Sequence, residues 1–215
     1  MHKQAGIWVL IILIALQFPI TLLLFNFKSV AFDINFYKNE FNKYNPSIDN
    51  AIPITENLTH YLKNKEANES YVSAFEQKEI SHLIDVKILM HRFLLGLNLV
   101  LFAAIIFLII LYFTDKKDFL KNMSLSLFFG GLFTLTILFI FNLLIKNFDA
   151  AFYKFHDIFF APGTWTFPTN STLITLFPTE FWVDAVNKTI SHTLISANIL
   201  ILVGVVLFFI HKKIK

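Results

Sequence analysis

The sequence contains no cysteine among its 215 residues, and only 15% of these residues are charged. Without cysteine the chain has no disulfide, no iron–sulfur ligand, no thiol nucleophile and no lipidated cysteine of its own. A soluble domain usually carries about 25% charged residues, and a disordered chain is less apolar still. There is also no basic, aromatic-interleaved patch of the kind that binds nucleic acid. These absences exclude a disordered protein and favour a membrane protein without a nucleic-acid partner.

Apolar residues dominate instead, at 56% of the chain with 27 phenylalanines, and the mean hydropathy is +0.62. A membrane-spanning helix needs roughly 20 consecutive apolar residues. Four segments satisfy this condition: residues 7–25, 93–113, 125–145 and 189–210. We therefore predict an all-α membrane protein with four transmembrane helices, forming a single integral membrane domain over residues 1–215.

The first apolar segment has a second interpretation, a cleaved signal peptide, because Ser29, Val30 and Ala31 resemble a weak cleavage site. The apolar core of a signal peptide is usually about 7–15 residues long. Residues 7–25 exceed this length, which favours a retained span.

Lysine is concentrated in short segments outside the predicted spans. Seven of the 18 basic residues lie there: Lys3, Lys116, Lys117, Lys121, Lys212, Lys213 and Lys215. The positive-inside rule places such segments in the cytoplasm. Both termini are then predicted to be cytoplasmic, and the loops 26–92 and 146–188 to face the outside of the cell membrane.

The first outer loop is too long for a plain connection and contains helical patterns. Aromatic residues recur at helical spacing over residues 33–44, which predicts a helix there. Its aromatic face either enters the lipid headgroups or packs on the rest of the loop. Pro46 and Pro53 are expected to break the chain, and a second short helix is predicted over residues 56–63.

A third helix in this loop is predicted to run directly into the second span. Ser73 and Glu76 have capping-box spacing, and neither proline nor glycine follows until residue 96. Glu79, His82 and Asp85 are spaced by three residues, so they project from one side of this helix.

The second outer loop combines a helix with an aromatic, proline-rich segment. We expect the third span to continue over residues 146–160, carrying His156 and Asp157, and to stop at Pro162-Gly163. The aromatic segment that follows is predicted to enter the membrane interface.

Few residues offer catalytic chemistry. The motifs G-x-S-x-G, the P-loop, H-E-x-x-H and G-x-G-x-x-G are all absent. One Glu-x-x-His occurs, at Glu79 and His82, whereas a two-metal bundle site needs a second, so we predict no metal and no cofactor. His82 and His156, each near an acidic residue, are the candidates for proton transfer. The alternative is that they are polar residues that hydrogen-bond one loop to the other.

Two stretches resemble the signatures of a known family. Residues 79–87, EISHLIDVK, resemble its first signature, E-[IL]-[SA]-H-[ML]-x-D-V-K, and residues 155–160, FHDIFF, through residues 173–182, LITLFPTEFW, resemble its second. The chain is thereby similar to the lipoprotein intramolecular transacylases, four-span membrane proteins. The stretch around residues 161–165, APGTW, departs from the family pattern and suggests a divergent branch.

The resemblance implies an acyl transfer within a diacylated lipoprotein or a related membrane lipid. The ester acyl chain of the lipoprotein moves from its glycerol to the α-amine of its N-terminal cysteine, leaving a lyso-lipoprotein. His82 and His156 are the implied acid and base, unless an acyl-imidazole forms on one of them. The implied supporting residues are Glu79, Asp85, which would fix a tautomer, and Asp157. The predicted substrate-binding residues are Trp165, Phe167, Trp182 and Arg92.

Two other functions compete with this one. The first is a non-catalytic membrane protein that binds a partner or lipid through its outer loops. The second is another lipid-acting hydrolase or acyltransferase with the same histidines. The sequence makes no prediction about the oligomeric state.

Overall fold

The computed structural model describes residues 2–144 and 147–214, and these residues are almost entirely helical. The helices are α1 (His2–Ala31), α2 (Ile34–Tyr44), α3 (Ala51–Lys63), α4 (Gln77–Thr114), α5 (Phe119–Leu144), α6 (Phe148–Phe159), α7 (Thr172–Leu176) and α8 (Thr179–Ile214). A single 3₁₀ turn, Glu69–Val72, precedes α4. Within the two described ranges there is no strand, and the predicted all-α fold class is confirmed.

Four of the helices, α1, α4, α5 and α8, are long and apolar enough to cross a membrane. They contain the four predicted spans, although Ile145, the predicted end of the third, and Lys146 lie outside the described residues. Helix α4 has 38 residues and is therefore about 57 Å long at 1.5 Å per residue. The hydrocarbon core is only about 30 Å thick. The apolar part of α4, residues 93–113, is thus preceded by a polar part that contains the first signature.

The described residues form two compact units. The four-helix unit consists of Met1–Asn26, Leu95–Leu144 and Thr189–Lys215, and the aromatic unit of Phe27–Leu94 and Ile145–Lys188, counting only the described residues of each range. The four-helix unit contains most of the apolar parts of the long helices. The aromatic unit contains the two predicted outer loops.

Close helix packing in the four-helix unit depends on glycine. A Cβ placed on Gly204 of α8 would lie 2.8 Å from the backbone oxygen of Ser124 and 2.9 Å from the backbone nitrogen of Phe128. Small residues at such contacts let membrane helices approach backbone to backbone. A polar contact joins the same unit, because the Asn26 amide donates to Thr193 Oγ1 at 3.3 Å.

The aromatic unit is built around one face of α2. Phe36 and Phe41 are buried there, and their rings pack against Phe181 at 5.5 Å and Phe177 at 6.0 Å, respectively. The predicted helix over residues 33–44 is present, with Asp33 as its N-cap. The aromatic face of α2 could have entered the lipid headgroups or packed on the rest of the loop. Phe36 and Phe41 pack in a protein core.

Helix α3 begins earlier than the sequence pattern indicated. It starts at Ala51 rather than residue 56, so Pro53 lies inside it instead of breaking the chain. Proline is tolerated in the first turn of a helix, because the N–H it lacks would have no intrahelical partner there.

Two other helix boundaries also differ from the prediction. Helix α4 starts at Gln77, and its capping contact is made by Glu79, whose carboxylate accepts from the backbone N–H of Glu76 at 2.8 Å. The predicted continuation of the third span is wrong, because Asn147 caps a separate helix, α6, by accepting from the N–H of Ala150. An Asn side chain satisfies the free N–H groups of a new helix start, so it favours a new helix over continuation.

Candidate active site

The two histidines singled out from the sequence lie side by side in the aromatic unit. His82 projects from the polar part of α4 and His156 from α6, and their ring centroids are 6.1 Å apart with the planes 28° from parallel. The two residues are 74 positions apart in the chain, so only the folding of the aromatic unit brings them together. Two imidazoles at this separation can act on two atoms of one substrate.

The His82 ring is buried among aromatic side chains. Only 7% of the residue is exposed, and the rings of Phe160 and Phe167 lie 4.8 Å and 5.5 Å from it. Its Nδ1 is buried and has no hydrogen-bond partner within the described part of the chain. This nitrogen is therefore not committed to holding the fold together.

The tautomer of His156 is fixed by the backbone of its own helix. Its Nδ1 lies 2.8 Å from the carbonyl oxygen of Phe152, one turn earlier. A carbonyl only accepts, so Nδ1 carries the hydrogen and Nε2 keeps a lone pair. Burial lowers the pKa of His156, although the Phe152 carbonyl and the Asp157 carboxylate oppose this shift. His156 is therefore neutral at neutral pH, with Nε2 available as a base.

Glu79 is almost completely buried and joins two segments around the histidines. One carboxylate oxygen accepts from the N–H of Glu76, and the other accepts from the N–H of Leu173 at 2.7 Å. The second contact spans 94 residues of sequence. The structure thus gives Glu79 a positioning contact, connecting the start of α4 to the segment that forms α7.

The predicted partner carboxylates are not bonded to the rings. The Asp85 side chain makes no hydrogen bond or ion pair with any described residue, and the contact that fixes a tautomer is made instead at His156, by the Phe152 carbonyl. Asp157 is exposed and acts on His156 through its charge. Arg92 is exposed and lies ten residues beyond His82 on α4, about 15 Å along the helix.

The predicted substrate-binding aromatics surround the pair to different degrees. The Trp165 ring packs 4.7 Å from His156, and Phe167 contacts His82. Trp182 is one ring further away, because it lies 6.4 Å from Phe152, which packs on His156 at 4.1 Å. Trp165 and Phe167 therefore belong to the immediate site, and Trp182 to its support.

Two lysines near the site were missed by sequence reasoning. Lys78 Nζ donates to the backbone oxygen of Thr166 at 2.7 Å and lies over the ring of Phe167. Lys87, within the first signature, donates to the Ala67 oxygen at 2.6 Å. Both hold loop backbone to α4. The position of Lys87 inside the signature was the available signal, whereas Lys78 carried none.

A polar cluster elsewhere in the aromatic unit was also not foreseen. The Asp184 carboxylate accepts from Lys43 Nζ and from the Tyr44 hydroxyl, which fastens the end of α2 to α8. Glu40 lies beside it, and burial together with the Asp184 charge raises the Glu40 pKa. No group of three metal-ligating side chains occurs here or in the rest of residues 2–144 and 147–214.

Comparison with known proteins identifies the family. A family model described as lipoprotein intramolecular transacylase Lit matches residues 5–182. An uncharacterized protein of Aquifex aeolicus (strain VF5) is 31% identical over 136 residues, which cover 63% of this chain and 56% of that protein. The aligned part of the chain thus spans little more than half the length of this relative.

Solved structures of the membrane integral lipoprotein intramolecular transacylase Lit from Bacillus cereus share the fold. One, of a variant with a histidine-to-arginine substitution, has a TM-score of 0.80 at 14% identity and covers 100% of this chain and 97% of that chain. Another has a TM-score of 0.73 at 16% identity, covering 99% and 100%. Together with the four long apolar helices, this likeness makes the protein a multi-pass membrane protein. Because the family model covers more than three quarters of the sequence, the chain belongs to the lipoprotein intramolecular transacylases, a family of acyltransferases.

Proposed function

We propose that the protein moves the ester-linked acyl chain of a diacylglyceryl lipoprotein from its glycerol to the α-amine of its N-terminal cysteine, by acid–base catalysis at His82 and His156. The observation that carries this proposal is the 6.1 Å distance between the ring centroids of the buried His82 and the half-buried His156, which aromatic side chains surround. Membership of the transacylase family supplies the reaction class.

The proposed reaction needs no co-reactant. The amine nitrogen forms a bond to the ester carbonyl carbon, and the bond from that carbon to the glycerol oxygen breaks. One proton leaves the nitrogen and one reaches the glycerol oxygen. Because donor and acceptor belong to one molecule, the protein gains chiefly by holding them together, since effective molarities of well-oriented groups reach about 10⁵–10⁸ M.

The tautomer of His156 supports a division of roles between the histidines. Its Nε2 lone pair is the base that takes the proton from the amine, whose ordinary pKa is near 8. His82 starts as a neutral ring, because burial, together with the charge of His156, lowers its pKa to about 4. It therefore relays the proton from His156, accepting it on one ring nitrogen while the hydrogen of the other goes to the departing glycerol oxygen. A covalent acyl-imidazole on either histidine is the alternative course, and it predicts an acylated enzyme that can be trapped.

The aromatic surround supports transfer over hydrolysis. Phe160 and Phe167 pack against His82, and Trp165 packs against His156. Such walls exclude water, which is the competing nucleophile for the ester. The same walls suit the acyl chains of a lipid substrate.

We also propose that the aromatic unit faces the outside of the cell membrane and that both termini are cytoplasmic. The support is the concentration of lysine in the short segments at the termini and around residues 114–124. Cysteine-labelling of single-cysteine variants in intact cells tests this orientation, because the natural chain has no cysteine.

The decisive experiment uses the full chain expressed with a model diacylated lipoprotein, whose N-terminal peptide is then weighed before and after mild alkali removes its ester-linked acyl chains. After alkali the transfer product keeps one acyl chain, as an amide, whereas the unreacted peptide keeps none. Transfer keeps two acyl chains and moves one to the amine, whereas hydrolysis removes one chain and simple binding changes nothing. His82→Gln and His156→Gln should each reduce the lyso-product by at least about 100-fold, because general acid–base catalysis contributes about 10²–10⁴.

A matched control is His60→Gln, at an exposed histidine of the same unit that stacks on Tyr71 rather than on the site. It should leave product formation unchanged. Full activity in either active-site variant would remove that histidine from the mechanism. A product with one acyl chain would replace the transferase by a hydrolase.

A further inference from the structure

The indole of Trp165 has a buried N–H group that no atom of the described residues accepts. Its ring lies 4.7 Å from His156 and 5.4 Å from Tyr153, but its Nε1 has no hydrogen-bond partner within the described residues. The Nε1 of Trp182, by contrast, donates to the Phe177 carbonyl oxygen at 3.1 Å. Two tryptophans of the aromatic unit thus differ in whether their N–H group has an acceptor.

An unpaired buried donor is unfavourable for the fold, so its presence calls for a reason. The packing role of Trp165 does not provide one, because a phenylalanine ring would also pack against His156. An indole N–H is a donor only, and therefore the missing partner must be an acceptor. The indole that carries this N–H packs against the imidazole that we propose as the base.

We infer that the Trp165 N–H donates a hydrogen bond to the carbonyl oxygen of the reacting ester. This inference rests on the proposed function. In acyl transfer that oxygen gains negative charge as the amine adds to the carbonyl carbon. A fixed donor aimed at this charge in a water-poor site lowers the barrier more than it strengthens ground-state binding. Trp165 itself makes and breaks no covalent bond.

The surroundings of Trp165 support this assignment over the competing donors. The Nδ1 hydrogen of His156 is already engaged by the Phe152 carbonyl. Lys78, whose Nζ lies over the Phe167 ring, already donates to the Thr166 oxygen. Among the described residues the Trp165 Nε1 has no acceptor, so a hydrogen bond to the ester oxygen replaces no existing one.

The test is Trp165→Phe in the purified full-length protein, assayed with a synthetic diacylated lipopeptide. The expected result is a fall in kcat of about 100-fold or more with KM changed less than threefold, which is the usual effect of removing one oxyanion donor. The melting temperature should stay the same or rise, because the variant no longer buries an unpaired donor.

A packing role predicts the opposite combination. In that case kcat stays within threefold of the natural protein, or it falls only together with the melting temperature, and either result overturns the inference. The control is Trp8→Phe, at an exposed tryptophan of α1, which should change neither quantity.

Should Trp165→Phe fail to fold, replacement of Trp165 by benzothienylalanine keeps the ring shape and removes only the N–H. The same loss of kcat is expected from it, and unchanged kcat contradicts the inference. The natural protein separates the two proposals: if it makes no lyso-product, the proposed function fails, whereas an active natural protein with an active Trp165 variant refutes only the role of the indole.

Discussion

Replacing Glu79 by glutamine removes one of the two acceptor oxygens that connect the start of α4 to the segment of α7. In the natural protein one oxygen accepts from Glu76 N–H and the other from Leu173 N–H. Glutamine keeps one carbonyl oxygen and turns its NH₂ group toward the remaining N–H, so two donors face each other. The side chain is almost completely buried, and water does not replace the lost acceptor.

The size of the effect follows from these contacts. A hydrogen bond to a charged group contributes about 1.5–3 kcal/mol, and a buried donor left unpaired costs about 1–3 kcal/mol. We expect Glu79→Gln to lower the free energy of unfolding by about 2–4 kcal/mol. For a chain of this size, that is a fall of roughly 5–15 °C in melting temperature.

The assay is thermal unfolding of the purified protein in detergent, with acyl transfer measured on the same samples. The control is Glu76→Gln, three residues earlier and exposed, which should shift stability by less than about 0.5 kcal/mol. If Glu79→Gln is as stable as the natural protein, the two backbone contacts do not hold the segments together. If it is stable but inactive, Glu79 acts in the chemistry and our assignment of a positioning role is wrong.

Two further predictions concern helix packing and pH. Gly204→Ala should destabilise the protein by at least about 1–3 kcal/mol, because the new methyl group meets backbone atoms of Ser124 and Phe128 and overpacks the contact. The control is Gly96→Ala, which has open space around its Cβ position and should be neutral or slightly stabilising. Thermal unfolding compares the two variants. Because burial lowers the pKa of His156, the unfolded state binds this proton more tightly than the folded state, so the free energy of unfolding should fall as the pH drops from the ordinary histidine pKa toward the lowered one. His156→Gln should make this fall smaller in thermal unfolding measured against pH, and an equal fall in both proteins would contradict the prediction.

The membrane-spanning architecture could be predicted because it follows from local composition. Four apolar runs bounded by charge define four helices whatever their partners, and the aromatic spacing over residues 33–44 defines α2. Boundaries were less accessible, because they depend on which side chain satisfies the free groups of a helix end. The N-cap Asn147 and the tolerated Pro53 are both single-residue effects of this kind.

The candidate site was accessible in part. The sequence singled out His82 and His156, but their approach depends on tertiary contacts across 74 residues. The contact of Glu79 with Leu173 joins residues 94 positions apart, and no periodic pattern in the sequence indicates it. We predicted that a carboxylate fixes a histidine tautomer, but the acceptor at His156 is a backbone carbonyl oxygen. Every residue has such an oxygen, so a pattern of side chains cannot reveal it.

That backbone oxygen has a consequence for how the protein tolerates mutation. A carbonyl has two lone pairs, and any amino acid at position 152 supplies the same oxygen at the same height of the helix. The orientation of the imidazole thus depends on the geometry of the helix and not on a side chain that a mutation could remove. Most substitutions of Phe152 should therefore change the packing against the His156 ring and leave its tautomer unchanged. Only a substitution that disrupts the helical turn, such as proline, should allow the other tautomer.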